Sequence, residues 1–302
     1  LTLRESVLSG NAASQSGGAI FNDSQVRAGS VLTTRLTVQN STLEDNAAAN
    51  YGGMLYTYET GSSVLIENSS VAGNTAQSSS GVANGFLVCQ SGESDCASHG
   101  GRLTVRGSAF VGNRSLPVNV PDANGALSNF GQLEVYDSRF EANEGPAGAA
   151  IYVQYLSSAL LDGVEILNNR ALDSPTTVDG AARVIPGNGG GVNNEGALTI
   201  RGGSSLRGNS ADNSGGGIFN NGFVGTVTMD ASNPVTLNRA DAEGDGSGTG
   251  GGVYNYGRRR GVANLATDAV SGNTPNDVVN DATSRYLPTA PSPARGGTGP
   301  RL

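Results

Sequence analysis

Three carboxylates stand together on a glycine-rich stretch, Asp241-Ala-Glu243-Gly-Asp245-Gly. Hard oxygen donors on a pliable loop suit Ca2+, so Asp241, Glu243 and Asp245 are the candidate cation ligands. Their spacing is not that of an EF-hand or of a Gly-Gly-x-Gly-x-Asp repeat, and a solvated acidic loop is the plainer reading. Cys89 and Cys96, the only cysteines, enclose a polar excursion of six residues. A disulfide there would staple the excursion and contribute about 2–3 kcal/mol; two free thiols are the alternative. His99, the single histidine, could add a third metal ligand to them, but no fourth donor is near and no zinc site is expected. Other acids, among them Asp137, Glu141 and Asp162, are scattered, so no general acid and base can be named and no catalytic residue is assigned. With no Trp in the chain, Tyr51, Tyr56, Tyr58 and Tyr136 are what remains for stacking against a sugar. N-x-S/T sequons occur at Asn22, Asn40, Asn68 and Asn113, glycan sites only in a eukaryotic setting.

What could position such residues is constrained by composition. Leu, Ile, Val and Phe make up about a fifth of the 302 residues, near the range in which chains fail to bury a core. Glycine, at 46 residues, is about twice as frequent as usual. The net charge is −8 and every cation is Arg. The longest basic run, Arg258 to Arg260, reads as a solvated loop, so nucleic acid and other polyanions are not expected partners. No apolar stretch is long enough to span a membrane. The chain starts at Leu1 without Met or a signal pattern, which suggests processing or a piece of something longer.

Order comes from repetition. LTLRESVLSGN (1–11), LTVQNSTLEDN (36–46), VLIENSSVAGN (64–74), LTVRGSAFVGN (103–113) and LEVYDSRFEAN (133–143) share one pattern. Counting back from the final Asn, apolar residues fall ten, eight and three places earlier, and Ser five places earlier. ALLDGVEILNN (159–169) and ANLATDAVSGN (263–273) lose the Ser, while LTIRGGSSLRGN (198–209) and VTMDASNPVTLN (227–238) carry one extra residue. A glycine box follows each of the first eight copies, clearest as GGAIFN (17–22), GGGIFN (215–220) and GGGVYN (250–255), and most degraded as NGALSN (124–129) and NGFLVC (84–89). The copies start 26 to 39 residues apart, so a fixed coil carries loops of free length. Those loops fall between Asn and box, as at 170–188 and 239–249, or after the box, as at 23–35 and 90–102.

Apolar residues two apart are the mark of a strand with one buried face, and the turn before Ser begins a second strand. The glycine box supplies a third. Three short strands per coil, repeated nine times, predict an all-β, single-stranded right-handed parallel β-helix, a β-solenoid on the order of 40 Å long over residues 1–282. A left-handed hexapeptide helix requires a period of six that this chain does not keep. One apolar column should comprise Leu8, Leu43, Val71, Phe110, Phe140, Ile166, Leu206, Val235 and Val270. A second should comprise Ile20, Leu55, Leu87, Leu127, Ile151, Val192, Ile218 and Val253. Asn11, Asn46, Asn74, Asn113, Asn143, Asn169, Asn209, Asn238 and Asn273 should form a structural Asn ladder at a corner, each tolerating a left-handed backbone. Ser6, Ser41, Ser69, Ser108 and Ser138 should stack beside them.

The Gly-Gly-Ala/Gly-Ile/Val box with apolar-x-x-Asn resembles the repeats of chlamydial polymorphic outer-membrane proteins and of bacterial surface β-helix proteins with a choice-of-anchor C-terminus. The residues that carry the likeness are Gly17 to Asn22 with Leu8 and Asn11, Phe110 with Asn113, Phe140 with Asn143, and Gly215 to Asn220. SGNTPNDVV (271–279) looks like the closing stretch of the choice-of-anchor group. The resemblance covers roughly residues 1–280 and implies a secreted or cell-surface location, in which a Cys89–Cys96 bridge is favoured. These residues depart from the polymorphic proteins in showing no C-terminal autotransporter barrel, so that export route is not expected from the resemblance.

These readings together give an expected function. The chain should be a non-enzymatic extracellular structural or adhesive module with no required cofactor, binding a glycan or a host or cell-surface ligand. Neither end shows a cap: either a cap belongs to flanking sequence, or another copy covers the end, in which case end-to-end self-association would make a fibre. The alternatives are a carbohydrate-active β-helix enzyme, a polysaccharide lyase or hydrolase, and a glycan-binding module using the 170–188 and 239–249 loops. Residues 283–302, rich in Pro and Gly, read as a tail or linker.

Overall fold

The computed structural model describes residues 1–24, 26–27, 30–31, 33–89, 96–117, 124–178, 181–221, 225–256 and 262–281. The 283–302 tail and Arg258 to Arg260 lie outside these. The chain winds as a parallel β-helix whose coils stack into four sheets, three of nine strands and one of seven, all parallel. A single 3-10 turn, Thr267–Ala269, is the only helical element among the described residues.

The fifth coil shows the plan. Gln132–Tyr136 lies on the first sheet, Arg139–Glu141 on the second, Glu144–Gly145 on the third and Ile151–Val153 on the fourth. On the first sheet Val135 pairs with Val105 and Leu161, and all three are buried. On the second, Leu8, Leu43, Val71, Phe110, Phe140, Ile166, Leu206, Val235 and Val270 pair in unbroken succession as one column. Phe110 and Phe140 stack inside it with ring centroids 4.7 Å apart. A short apolar segment thus buries its inward side chains against copies of itself, each contributing about 1.5–3 kcal/mol.

The structure departs from the sequence reading in four places. Each coil of the first seven has a fourth, two-residue strand just after the Asn, for example Ala47–Ala48 and Ala171 with Arg170. Its inward residue is small (Ala48, Ala76, Ser115, Ala171, Ala211), because the coil is narrow there. Second, Leu87 does not join the fourth-sheet column: Val82 pairs with Leu55 and Leu127 instead. The third box is therefore SSGVAN (79–84), with Ser in place of its leading glycines, and Leu87–Cys89 is one arm of an antiparallel hairpin with Cys96–Ser98. Third, a ninth fourth-sheet strand, Val278–Asp281, pairs with Val253–Tyr256 without any glycine box.

Fourth, the left-handed backbone falls one residue before the expected place. Gly10, Asp45, Gly73, Gly112, Ala142, Asn168, Gly208, Leu237 and Gly272 all have φ between 53° and 69°. The Asn residues that follow them do not. The corner is turned by the residue ahead, which leaves the Asn side chain free to point inward along the stack. The glycine boxes have a different cause: a methyl group on Gly18 would lie 2.1 Å from the carbonyl oxygen of Gly53, so adjacent backbones meet without side chains.

Candidate functional site

Polar side chains inside the coil bind one another. The nine Asn residues form a continuous row in which, from Asn46 to Asn273, each Oδ1 accepts two bonds from the Asn of the coil before. At Asn143, Oδ1 takes the backbone N–H and the Nδ2 of Asn113, both at 3.0 Å. Its own Nδ2 donates to Asn169 Oδ1 at 2.8 Å and to the Phe110 carbonyl at 3.0 Å. Ser6, Ser41, Ser69, Ser108 and Ser138 run alongside: each hydroxyl donates to the carbonyl two residues back, and four accept the backbone N–H of the Ser in the coil before. Ser204 and Asn233 take over that role in the copies with an extra residue.

A second amide row was not read from the sequence. At the end of the fourth-sheet strands, Asn84 donates to Asn129, and Asn194, Asn220, Asn255 and Asn280 follow in line at 2.7 to 3.1 Å. Val153 interrupts it in the fifth coil. The signal was present as the final Asn of the clearest glycine boxes.

The candidate cation ligands are engaged differently. Asp241 Oδ1 accepts the Gly246 N–H at 3.0 Å and Asp245 Oδ1 accepts the Ser247 N–H at 2.7 Å. The loop thus folds around its own amides. Desolvation and the nearby carboxylates of Asp173, Asp212 and Asp245 hold the Glu243 carboxyl above its ordinary range, while bonds from Ser247 hold Asp245 below it. Among the described residues no group of three His, Cys, Asp or Glu side chains is arranged to hold a metal ion, although Asp245 lies within hydrogen-bonding reach of both Asp241 and Glu243.

The register sets Cys89 opposite Cys96 across the hairpin. Since Phe86 and His99 form the hydrogen-bonded pair at the hairpin's base, alternation makes Cys89 and Cys96 a pair without backbone bonds, the closer kind. Their side chains lie outside the described residues. His99 stacks on Phe86 and its Nδ1 lies 3.2 Å from Glu59 Oε2. Tyr51, Tyr56 and Tyr58 cluster on the outside of the second coil, joined by Phe21 and Phe86. Burial, with Tyr58, Tyr51 and Glu59 nearby, pushes the Tyr56 hydroxyl far above its usual range. Tyr136 instead lies under the Arg106 guanidinium.

Of the scattered acids, Glu141 pairs with Arg139 at 2.7 Å and Asp162 with Arg201 at 2.9 Å, and Asp137 occupies a left-handed turn. Of the four sequons, Asn113 is wholly buried in its row and Asn22 is half-buried, while Asn40 and Asn68 are exposed. The 170–188 loop carries a hairpin, Ser174–Val178 with Ala181–Ile185, whose second arm is largely exposed.

At the corner of the second and third sheets two hollows meet. One of about 360 Å3 is lined by Arg139, Glu141, Leu167, Asn168, Arg207 and Leu237 among others. The other, of about 420 Å3, is lined by Leu237, Arg239, Ala240, Asp241, Thr274 and Pro275 among others. Leu237, shared by both, is 55% exposed.

Sheets, rows and corner together define a parallel β-helix with loops of free length. No family model, no curated protein and no solved structure matches this chain. Among the described residues no helix is long and apolar enough to cross a membrane.

Proposed function

We propose that this chain is a non-enzymatic structural or adhesive solenoid of the cell surface or extracellular space. The supporting observation is how its polar side chains are engaged. The interior amides and hydroxyls bind successive coils to one another, and the carboxylates of Glu134, Glu144, Asp162 and Asp212 pair with Arg on neighbouring coils. Chemistry would need a carboxylate held ready for a substrate, whereas these four are engaged in holding coil to coil. Loops then vary on a constant scaffold, the arrangement that suits a display surface.

Incubation with a polysaccharide panel, with and without Ca2+, tests this reading. New reducing or unsaturated ends would make the chain a lyase or hydrolase; retention without cleavage would make it a glycan-binding module. The proposal extends to end-to-end self-association, in which the interior columns of one copy continue into the next. A sedimentation profile that stays monomeric over a wide concentration range would remove that extension.

A further inference from the structure

The left-handed position ahead of each row Asn is Gly in five coils, Asp or Asn in two and Ala in one; in the eighth it is Leu237, with φ at 56°. A large apolar side chain is the least suited occupant of that backbone, and at 55% exposure this one is not retained for the core. An outlier held in place points to what it touches. Leu237 stands between the two hollows, and their aliphatic surface comes from Leu167 on one side and Ala240 and Pro275 on the other. Three arginines, Arg139, Arg207 and Arg239, line these hollows together with two acids, Glu141 and Asp241, in a chain whose net charge is −8. Arg139 is paired with Glu141. Arg239 donates to the Asp241 backbone carbonyl, and Arg207 has no ion pair among the described residues.

We propose that this corner is a docking site for an extended acidic peptide segment. Apolar side chains of the segment would enter the hollows on either side of Leu237, and its carboxylates would meet Arg207 and Arg239. The aliphatic walls favour a peptide over a glycan, because neither hollow offers an aromatic ring for a sugar face. The forked guanidinium favours a carboxylate over a neutral group. The site goes beyond the surface-solenoid reading and does not depend on it.

The test uses the full chain and a labelled synthetic peptide of alternating aspartate and leucine, followed by fluorescence polarisation. The wild-type protein should bind it, more weakly as salt rises. Leu237→Gly should raise the thermal midpoint yet weaken binding about tenfold or more, a combination that a purely structural leucine would not give. Arg207→Glu should weaken binding by a similar factor without lowering the midpoint, while Ala142→Gly should raise the midpoint and leave binding unchanged. No binding at millimolar peptide, or equal binding by Leu237→Gly, would overturn the proposal. Displacement of the peptide by an oligogalacturonate that itself binds more tightly would assign the corner to an acidic glycan and overturn it as well.

Discussion

Asn273 gives both its backbone N–H and its side-chain Nδ2 to one carboxylate oxygen, Asp277 Oδ1, at 2.8 and 2.9 Å. In every earlier coil that place is held by the Oδ1 of the next Asn, as Asn273 itself does for Asn238. Asp277 thus closes the row from within the same coil.

Asp277→Ala should leave two buried donors without an acceptor, each worth about 1–3 kcal/mol. Hydrogen exchange should then quicken in Val270–Ser271 and Val278–Asp281 before the rest of the solenoid. Asp277→Asn, which keeps the acceptor, should restore most of the protection.

Asn143 lies in the middle of the row, wholly buried. Asn143→Ala should orphan the Asn113 amides and the Phe110 carbonyl together and cost about 3 kcal/mol or more. Urea unfolding is the measurement, and a loss below about 1 kcal/mol would show that the row contributes little beyond its backbone.

Ala142 holds φ at 53° where five coils use glycine. A left-handed backbone costs an L-residue about 1–2 kcal/mol, and glycine's extra freedom in the unfolded chain returns part of that. Ala142→Gly should therefore stabilise by about 0.5–1 kcal/mol, read as a higher urea midpoint with an unchanged m-value.

Cys89 and Cys96 face each other at the close type of antiparallel pair, where the Cα separation falls within the range a disulfide spans. Protein purified without reductant should weigh two hydrogens less than the reduced form and show no thiol titre. Protease should cut the 90–95 segment faster after reduction.

Much of the fold was readable because a solenoid repeats its instructions. Leu43 and Val71 are distant in sequence, but each recurs at the same offset from an Asn, and period-two alternation says which face is buried. Stacking equivalents is the only arrangement that lets so few apolar residues cover one another, and the second-sheet column follows from that alone. Where the repeat decays, the reading slipped. The third box lacks its leading glycines, so the spacing points to Leu87 where Val82 supplies the column residue. The ninth fourth-sheet strand has no box to announce it.

The sequence by itself determined the coil, its columns and the Asn positions, because these depend on local alternation and on spacing from a marker. Only the tertiary structure decided which atoms those Asn amides bind, that the residue ahead of each turns the corner, and that Leu237 stands exposed between two hollows. Such relations join side chains from different coils across loops of unequal length, and distance along the chain carries no trace of them.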